Sequence, residues 1–194
     1  MTDTGIFYGT GASEGVPGPF CDCPMCNYAR EHGGKDVRKR SCFRLGRNIM
    51  IDMGPDIFTQ ALQYGSMCDI EHVLITHTHD DHFDFTALGL MSMATHLRTT
   101  PVHFYFSEEG YRFIEHLRDS EIAFGGSLRG MEKKGIYAIH KLKCFETYSI
   151  GEYEVTPIRG NHGGNMEKER SANYVLKAKA GKKTQYGLDT GMYE

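Results

Sequence analysis

Residues 75–84 read ITHTHDDHFD, and the chemistry of this stretch governs how the rest of the chain is read. Three of the chain's ten histidines and three aspartates fall inside it, directly after the apolar run of Val73 and Leu74. Side chains alternate faces along an extended segment, so His77 and His79 point the same way where the strand ends near Thr76. Two imidazoles so placed can meet one metal ion. Asp81 and His82 follow where the chain must turn toward a helix, and they offer a carboxylate and an imidazole to a second ion. Asp80, on the alternate phase, reads as a turn or cap residue. A polar turn of solvated histidines is the plainer reading, yet an apolar strand running into H-x-H-x-D-H has little use for packing.

Two ions need more ligands than four residues provide. Downstream, TPIRGNHGG (residues 156–164) places His162 just after a strand, and QYGLDTG (residues 185–191) does the same for Asp189. Both repeat the first pattern, in which an apolar strand ends and a ligand-type side chain appears in the glycine-flanked loop beyond it. His72, His96, His103, His116 and His140 sit within helical or strand runs and read as ordinary surface or core residues.

A chain of 194 residues suits one domain, here residues 1–194. A formal charge of −3 sets up no strong field, which argues against a long nucleic-acid track or an anionic membrane as partner. The N-terminus has no cationic segment followed by an apolar one, and no stretch approaches bilayer-spanning length, so a cytoplasmic protein is expected. Of six cysteines, Cys21, Cys23 and Cys26 crowd into one hexapeptide. In a cytosolic chain that spacing favours thiolate ligation of metal over disulfides, and C-x-C-x-x-C suits a structural Zn²⁺ with four ligands. His32 is a candidate for the fourth. Cys42, Cys68 and Cys144 stand alone and read as buried small hydrophobes.

The spacing predicts a strand at 5–9 leading into a glycine- and proline-containing loop at 10–20, whose prolines exclude a dinucleotide fingerprint. A short helix at 24–32, a hairpin of 42–45 with 48–53, and a helix at 56–64 closed by Gly65 follow. Next come a strand at 72–76, a helix at 85–96, a strand at 102–106 and a helix at 108–118. Residues 125–135 are glycine-rich and charged and read as a surface loop. Strands at 136–139, 142–148, 153–158, 172–179 and 184–188 complete the chain. Early interleaving of helices and late dominance of strands predicts an α/β (α+β) protein with sheet layers covered by helices.

Taken together, T-H-T-H-D-D-H, the later N-H-G and the later L-D-T-G resemble the metallo-β-lactamase-fold hydrolases. That resemblance implies a four-layer αββα sandwich and a dinuclear site. Carried over by motif, His77, His79 and His162 would hold one ion, Asp81 and His82 the other, and Asp189 would bridge them. The opening G-T-G-A-S-E-G-V-P with C-x-C-x-x-C resembles the branch that contains the phosphoribosyl 1,2-cyclic phosphate phosphodiesterases, and the cysteine cluster is also similar to that of pyrroloquinoline-quinone-biosynthesis proteins. In the first branch three such cysteines bind a structural zinc with a histidine near the C-terminus. The family runs on past the point matching Glu194 to a further metal-binding histidine and a proton donor, so the sequence reads as lacking the family's C-terminal part.

The implied activity is that of a metal-dependent phosphodiesterase, with a metal-bridging hydroxide attacking a small cyclic or nucleotide-like phosphodiester and with Asp81, His82 and Asp189 at the reacting centre. Imidazole and carboxylate ligands admit Zn, Mn or Fe. A homodimer is compatible with this reading. Arg38, Lys39, Arg40 and Arg44 read first as a solvated basic face, with one of them assisting substrate phosphate as the alternative. Competing readings are a thioester or lactone hydrolase or a quinone-biosynthesis-like protein of the same fold, and a zinc-stabilised binding module with a degenerate site. Transfer-RNA processing shares the fold, but the mild acidity and the lack of a recognisable RNA-binding arm speak against it.

Overall fold

The computed structural model describes residues 4–94, 98–122 and 126–190. Strands β1 (Gly5–Gly9), β2 (Cys42–Leu45), β3 (Ile49–Ile51), β4 (His72–Leu74), β5 (Val102–Ser107) and β8 (Tyr137–Leu142) form a six-stranded mixed sheet in that order. The first three pair antiparallel, and β3, β4, β5 and β8 run parallel. Parallel strands are covered on both faces, and β3 accordingly reads IMI with every residue buried. A second, antiparallel sheet has the order β12 (Lys183–Tyr186), β11 (Ala172–Ala178), β10 (Tyr153–Arg159) and β9 (Tyr148–Ile150). Along β10 and β11 buried positions recur every second residue, as expected where one face meets a core.

Two cores follow from this layering. Phe43, Ile51 and Leu74 of the first sheet meet Val155, Tyr174 and Leu176 of the second. On the other side of the first sheet, Met50, Val73 and Phe104 pack against helices α2 (Ile57–Tyr64), α3 (Phe85–Met93), α4 (Glu108–Leu117) and α5 (Leu128–Lys133). Helix α4 begins at Ser107, whose hydroxyl accepts from the Gly110 N–H at 3.1 Å, and Glu108 and Glu109 complement the helix dipole in its first turn. Helix α1 (Pro24–His32) stands apart, next to the cysteine loop.

Several boundaries differ from the sequence reading. Residues 126–133 are not a surface loop but β7 (Gly126–Ser127), paired with β6 (Glu121–Ile122), and then α5, whose Leu128 and Met131 are fully buried. An i, i+3 apolar pair inside a charged stretch was enough to anchor a helix on the sheet. The strands expected at 136–139 and 142–148 are instead one strand, β8, then a turn, then the short β9. Asp80 stands in a turn, one of the two roles read for it, and α3 is capped by Asp84, which accepts from the Thr86 N–H at 3.2 Å. The helix predicted to reach His96 is described to Met93; residues 95–97 lie outside the described residues. Among the single cysteines only Cys42 is buried; Cys144 is partly buried and Cys68 is exposed.

Candidate metal centre

Parallel β3 and β4 end at the same edge of the sandwich, which brings Asp52 beside Thr76 and the 77–82 loop. The second sheet reaches the same edge: β10 ends at Arg159, and the Ala172 N–H at the start of β11 donates to the Thr76 carbonyl at 2.7 Å. Tyr174 donates from its hydroxyl to the Ile75 carbonyl at 2.6 Å, which ties the two sheets together directly below the loop. Since β12 pairs antiparallel with β11, its exit at Tyr186 delivers Asp189 to this edge as well. Four separate strand ends therefore supply side chains to one place.

All six residues singled out from the sequence come together there. His77 Nε2 lies 3.0 Å from His79 Nδ1, and His162 Nε2 lies 3.4 Å from the same His79 nitrogen. His82 Nε2 is 3.2 Å from an Asp189 oxygen and 3.3 Å from an Asp81 oxygen. One ligand atom from each of His77, His79 and His162 falls within 4.8 Å of the others, and so does one from each of His77, His82 and Asp189. Imidazole nitrogens and carboxylate oxygens are donors that a divalent ion accepts, so the group fits a metal pair. Asp189 sits between the two groups, 4.0 Å from both His77 Nε2 and His162 Nε2.

Electrostatics divide the histidines. Burial, followed by the neighbouring His82, His79 and His162, pushes His77 down to about 2, so its ring stays neutral and ready to ligate. His82 is equally buried, which opposes charge, but Asp52 and then Asp81 outweigh burial and raise it to about 10. Asp81 is held below the usual carboxylate range: its burial works the other way, and the bond to His82 prevails.

Asp52 is the residue that the sequence reading missed. It is fully buried and accepts from the Thr76 N–H at 2.8 Å, the Thr76 hydroxyl at 2.9 Å and His82 Nδ1 at 2.8 Å. A carboxylate behind a ligating imidazole fixes its tautomer and leaves Nε2 to face the ion. Asp52 takes a positive φ of 63°, a backbone region that aspartate tolerates better than most residues. Glu169 does a related job at the other end of the loop. Buried at 1% exposure, it accepts from the Thr78 N–H at 2.9 Å and the Thr78 hydroxyl at 2.6 Å. Gly54 passes so close to the Asp81 carbonyl that a Cβ would collide with it.

The centre forms the floor of an open cleft of about 550 Å³, whose walls include Ser13, Arg40, Pro55, Asp80 and Asn165. Arg40 is held in place by Asp56 at 2.9 Å and by the Ser13 carbonyl, which Nε meets at 2.9 Å. Asp80 is exposed and belongs to this rim.

The thiols of Cys21, Cys23 and Cys26 also converge within 4.8 Å. The Cys26 N–H donates to the Cys23 sulfur at 3.5 Å, and that contact, with the Cys21 and Cys26 thiols, lowers the Cys23 thiol to about 7. Arg30 fastens the loop by donating to the carbonyls of Gly18 at 2.8 Å and Cys21 at 2.7 Å. Three grouped thiols, one of them readily ionised, fit a structural zinc. His32 does not join them; it stacks on Tyr28 with ring centroids 3.8 Å apart. His72, His103 and His140 gather elsewhere, between the two sheets, with His103 Nδ1 2.8 Å from His140 Nε2.

Comparison with known proteins agrees with this geometry. Residues 47–194 match the family described as the β-lactamase superfamily domain. Among curated relatives, an octanoyltransferase of Porphyromonas gingivalis is 37% identical over 81 residues, 40% of this chain and 16% of that protein. The ribonuclease Z of Thermococcus onnurineus is 28% identical over 152 residues, 75% of this chain and 45% of the relative. The chain thus spans less than half the length of these curated relatives. Among solved structures, a diphosphatase of the PhnP family superposes with a TM-score of 0.68 at 22% identity, over 89% of this chain and 61% of that one. Zn²⁺-bound PqqB from Methylobacterium extorquens gives 0.65 at 16% identity, over 92% and 62%. Both likenesses are of fold. With the family match extending from the hairpin through the ITHTHDDHFD loop to Asp189 and beyond, this chain belongs to the β-lactamase superfamily and has the metallo-β-lactamase fold.

Proposed function

We propose that the chain carries the catalytic centre of a metal-dependent phosphodiesterase acting on a small cyclic or nucleotide-like phosphodiester. The observation that carries this reading is the convergence of two three-residue ligand groups, sharing His77, on the floor of the cleft that Arg40 lines. The curated relatives named ribonuclease Z support a phosphodiester as the bond attacked, and the PhnP-family diphosphatase, named for a phosphate linkage of another kind, shares the fold.

His77, His79 and His162 would hold one ion; Asp81 and His82 would hold the other, with Asp189 between. Two divalent ions, Zn, Mn or Fe, supply Lewis acidity there and lower the pKa of bound water toward neutrality. The chain's own residues do the rest. Asp52 accepts a hydrogen bond from the Nδ1–H of His82 and so aims Nε2 into the cleft. Glu169 pins Thr78 so that the backbone between His77 and His79 cannot swing. Arg40, immobilised by Asp56, stands at the wall where it can pair with a phosphoryl oxygen without losing side-chain entropy on binding. Cys21, Cys23 and Cys26 would hold a structural Zn²⁺ that shapes the loop beside the cleft.

The test is turnover of bis-p-nitrophenyl phosphate by the Mn²⁺- or Zn²⁺-loaded protein, set against a thioester and a lactone. Diester turnover that Asp189→Ala abolishes supports the proposal. Thioester or lactone turnover without diester turnover overturns it in favour of the other hydrolase class, and metal binding with no turnover of any substrate overturns it in favour of a binding module.

A further inference from the structure

A second hollow, of about 530 Å³, opens beside the metal cleft and takes no part in the chemistry above. Its walls come from the end of β1, residues 34–39 and the C-terminal turn of α2, and the side chains that matter are Tyr8, Thr10, Lys35, Arg38, Lys39 and Tyr64. None of the residues lining it is acidic. Lys39 donates to Gln63 and to the Thr59 carbonyl, and Arg38 donates to the Thr10 hydroxyl at 3.0 Å, all uncharged partners. Among the described residues no carboxylate forms an ion pair with Lys35, Arg38 or Lys39, whereas Arg30, Arg40 and Arg44 all have such partners. Three cations thus surround one hollow with their charge uncompensated.

The hollow also contains an aromatic surface. Tyr64 stacks on the buried Tyr8 with ring centroids 4.6 Å apart and planes 9° from parallel, yet it remains 40% exposed. Tyr8 fixes one face of Tyr64, and Lys39 Nζ stands 5.9 Å from the Tyr64 ring centroid, so a flat ring that stacks here also meets an ammonium. Cations beside a fixed aromatic face are the combination that binds a base together with its phosphate, since stacking accepts any base and the charges accept the backbone.

The two hollows share a wall. Arg40, Ala12 and Ser13 face the metal cleft, and Arg38, Lys39, Gly9 and Thr10 face the second hollow. The strips are bonded together, with the Gly11 N–H donating to the Lys39 carbonyl at 2.7 Å and the Ser41 hydroxyl to the Gly11 carbonyl at 3.1 Å. Arg38 and Arg40 are two residues apart, about 7 Å of extended chain. We infer that this hollow is a nucleoside-phosphate subsite, in which a base packs on Tyr64 and its phosphate meets Lys35, Arg38 and Lys39, so that a flanking nucleotide of the substrate is held while the diester lies over the metals. As a subsite of a diesterase the inference rests on the reading above; as a binding site it can be measured without turnover.

The experiment titrates a fluorescein-labelled hexanucleotide into the metal-loaded protein and follows polarisation, with the unlabelled hexanucleotide, adenosine 5′-monophosphate, inorganic phosphate and poly-glutamate as competitors. Binding is expected to weaken about tenfold in Tyr64→Ala and to be retained in Tyr64→Phe. The slope of log Kd against log salt is expected to fall by about 0.7 in Arg38→Gln. Competition by the mononucleotide identifies a free nucleotide as the source of the ligand, and competition by oligonucleotides alone identifies a polynucleotide end; either supports the subsite. Absence of binding, an unchanged Kd in Tyr64→Ala, or equal competition by inorganic phosphate or poly-glutamate overturns it. Bis-p-nitrophenyl phosphate turnover by the unsubstituted protein, measured alongside, reports separately whether the diesterase reading holds.

Discussion

Replacing Asp52 by asparagine should weaken one metal position by about 10- to 100-fold, the usual consequence of removing the carboxylate behind a ligating histidine. Asparagine has nearly the same shape as aspartate and also tolerates the positive φ that Asp52 adopts, so the backbone is not strained by the change. What changes is the proton inventory. The Asp52 carboxylate accepts from three donors: the Thr76 N–H, the Thr76 hydroxyl and His82 Nδ1. An asparagine oxygen can keep the Thr76 N–H, but its amide nitrogen then faces His82 Nδ1 and demands a lone pair there. The imidazole proton moves to Nε2, the atom that lies 3.2 Å from Asp189 and should face the ion. The expected loss corresponds to about 1.4–2.8 kcal/mol in binding free energy. Competition of the protein with a chelator of known affinity, followed by elemental analysis, should show three tight ions in the parent, two in the main centre and one at the cysteines, and two tight ions and one weak ion in Asp52→Asn. Three ions of undiminished affinity in Asp52→Asn would refute the role assigned to Asp52.

Other consequences are equally open to test. Raising His82 from 6.5 to about 10 means that its charged form stabilises the metal-free fold. That contribution is complete below pH 6.5 and is lost as pH rises through 10, so urea midpoints of the metal-free protein should fall across that interval, and a flat profile would count against the Asp52–His82 pair. For the same reason metal binding at neutral pH should expel about one proton from His82, and calorimetry in two buffers of different ionisation heat should detect it. Glu169→Gln should cost about 1.5–3 kcal/mol in urea unfolding, because a buried carboxylate with charge-assisted bonds to Thr78 becomes neutral; a change below ~0.5 kcal/mol would remove Glu169 from the account. Cys23→Ser should release zinc from the cysteine loop while leaving the ions of the main centre in place, and loss of all ions together would show that the two sites are not separate.

Much of the centre was legible in the sequence because its chemistry is concentrated and its spacing local. H-x-H after an apolar strand fixes two imidazoles on one side, and His162 and Asp189 repeat that arrangement after later strands. Asp52 was not legible for a corresponding reason: a single aspartate after a three-residue strand resembles any turn residue, and its value arises only when β3 and β4 pair in parallel. Glu169 is further removed, since its bond to Thr78 joins residues 91 apart in the chain. Helix α5 was hidden by glycine and charge, although Leu128 and Met131 carried the helical spacing that buries it. Asp80 reads as a turn or cap residue from its phase, and it takes the turn; the cap falls to Asp84, the residue adjacent to the first turn of α3. Arg38 to Arg40 form one basic run in the sequence, but the fold sends Arg40 to the metal cleft and Arg38 and Lys39 to the neighbouring hollow.

The central claim is that His77, His79, Asp81, His82, His162 and Asp189 converge to seat a pair of cations. Anomalous diffraction from crystals of the zinc-loaded protein, with data collected on both sides of the zinc edge, tests it most directly. The account predicts two peaks among these six side chains, flanking Asp189, and a separate peak at Cys21, Cys23 and Cys26. A map with the cysteine peak alone, and no anomalous density between His79, His82 and Asp189, would contradict it.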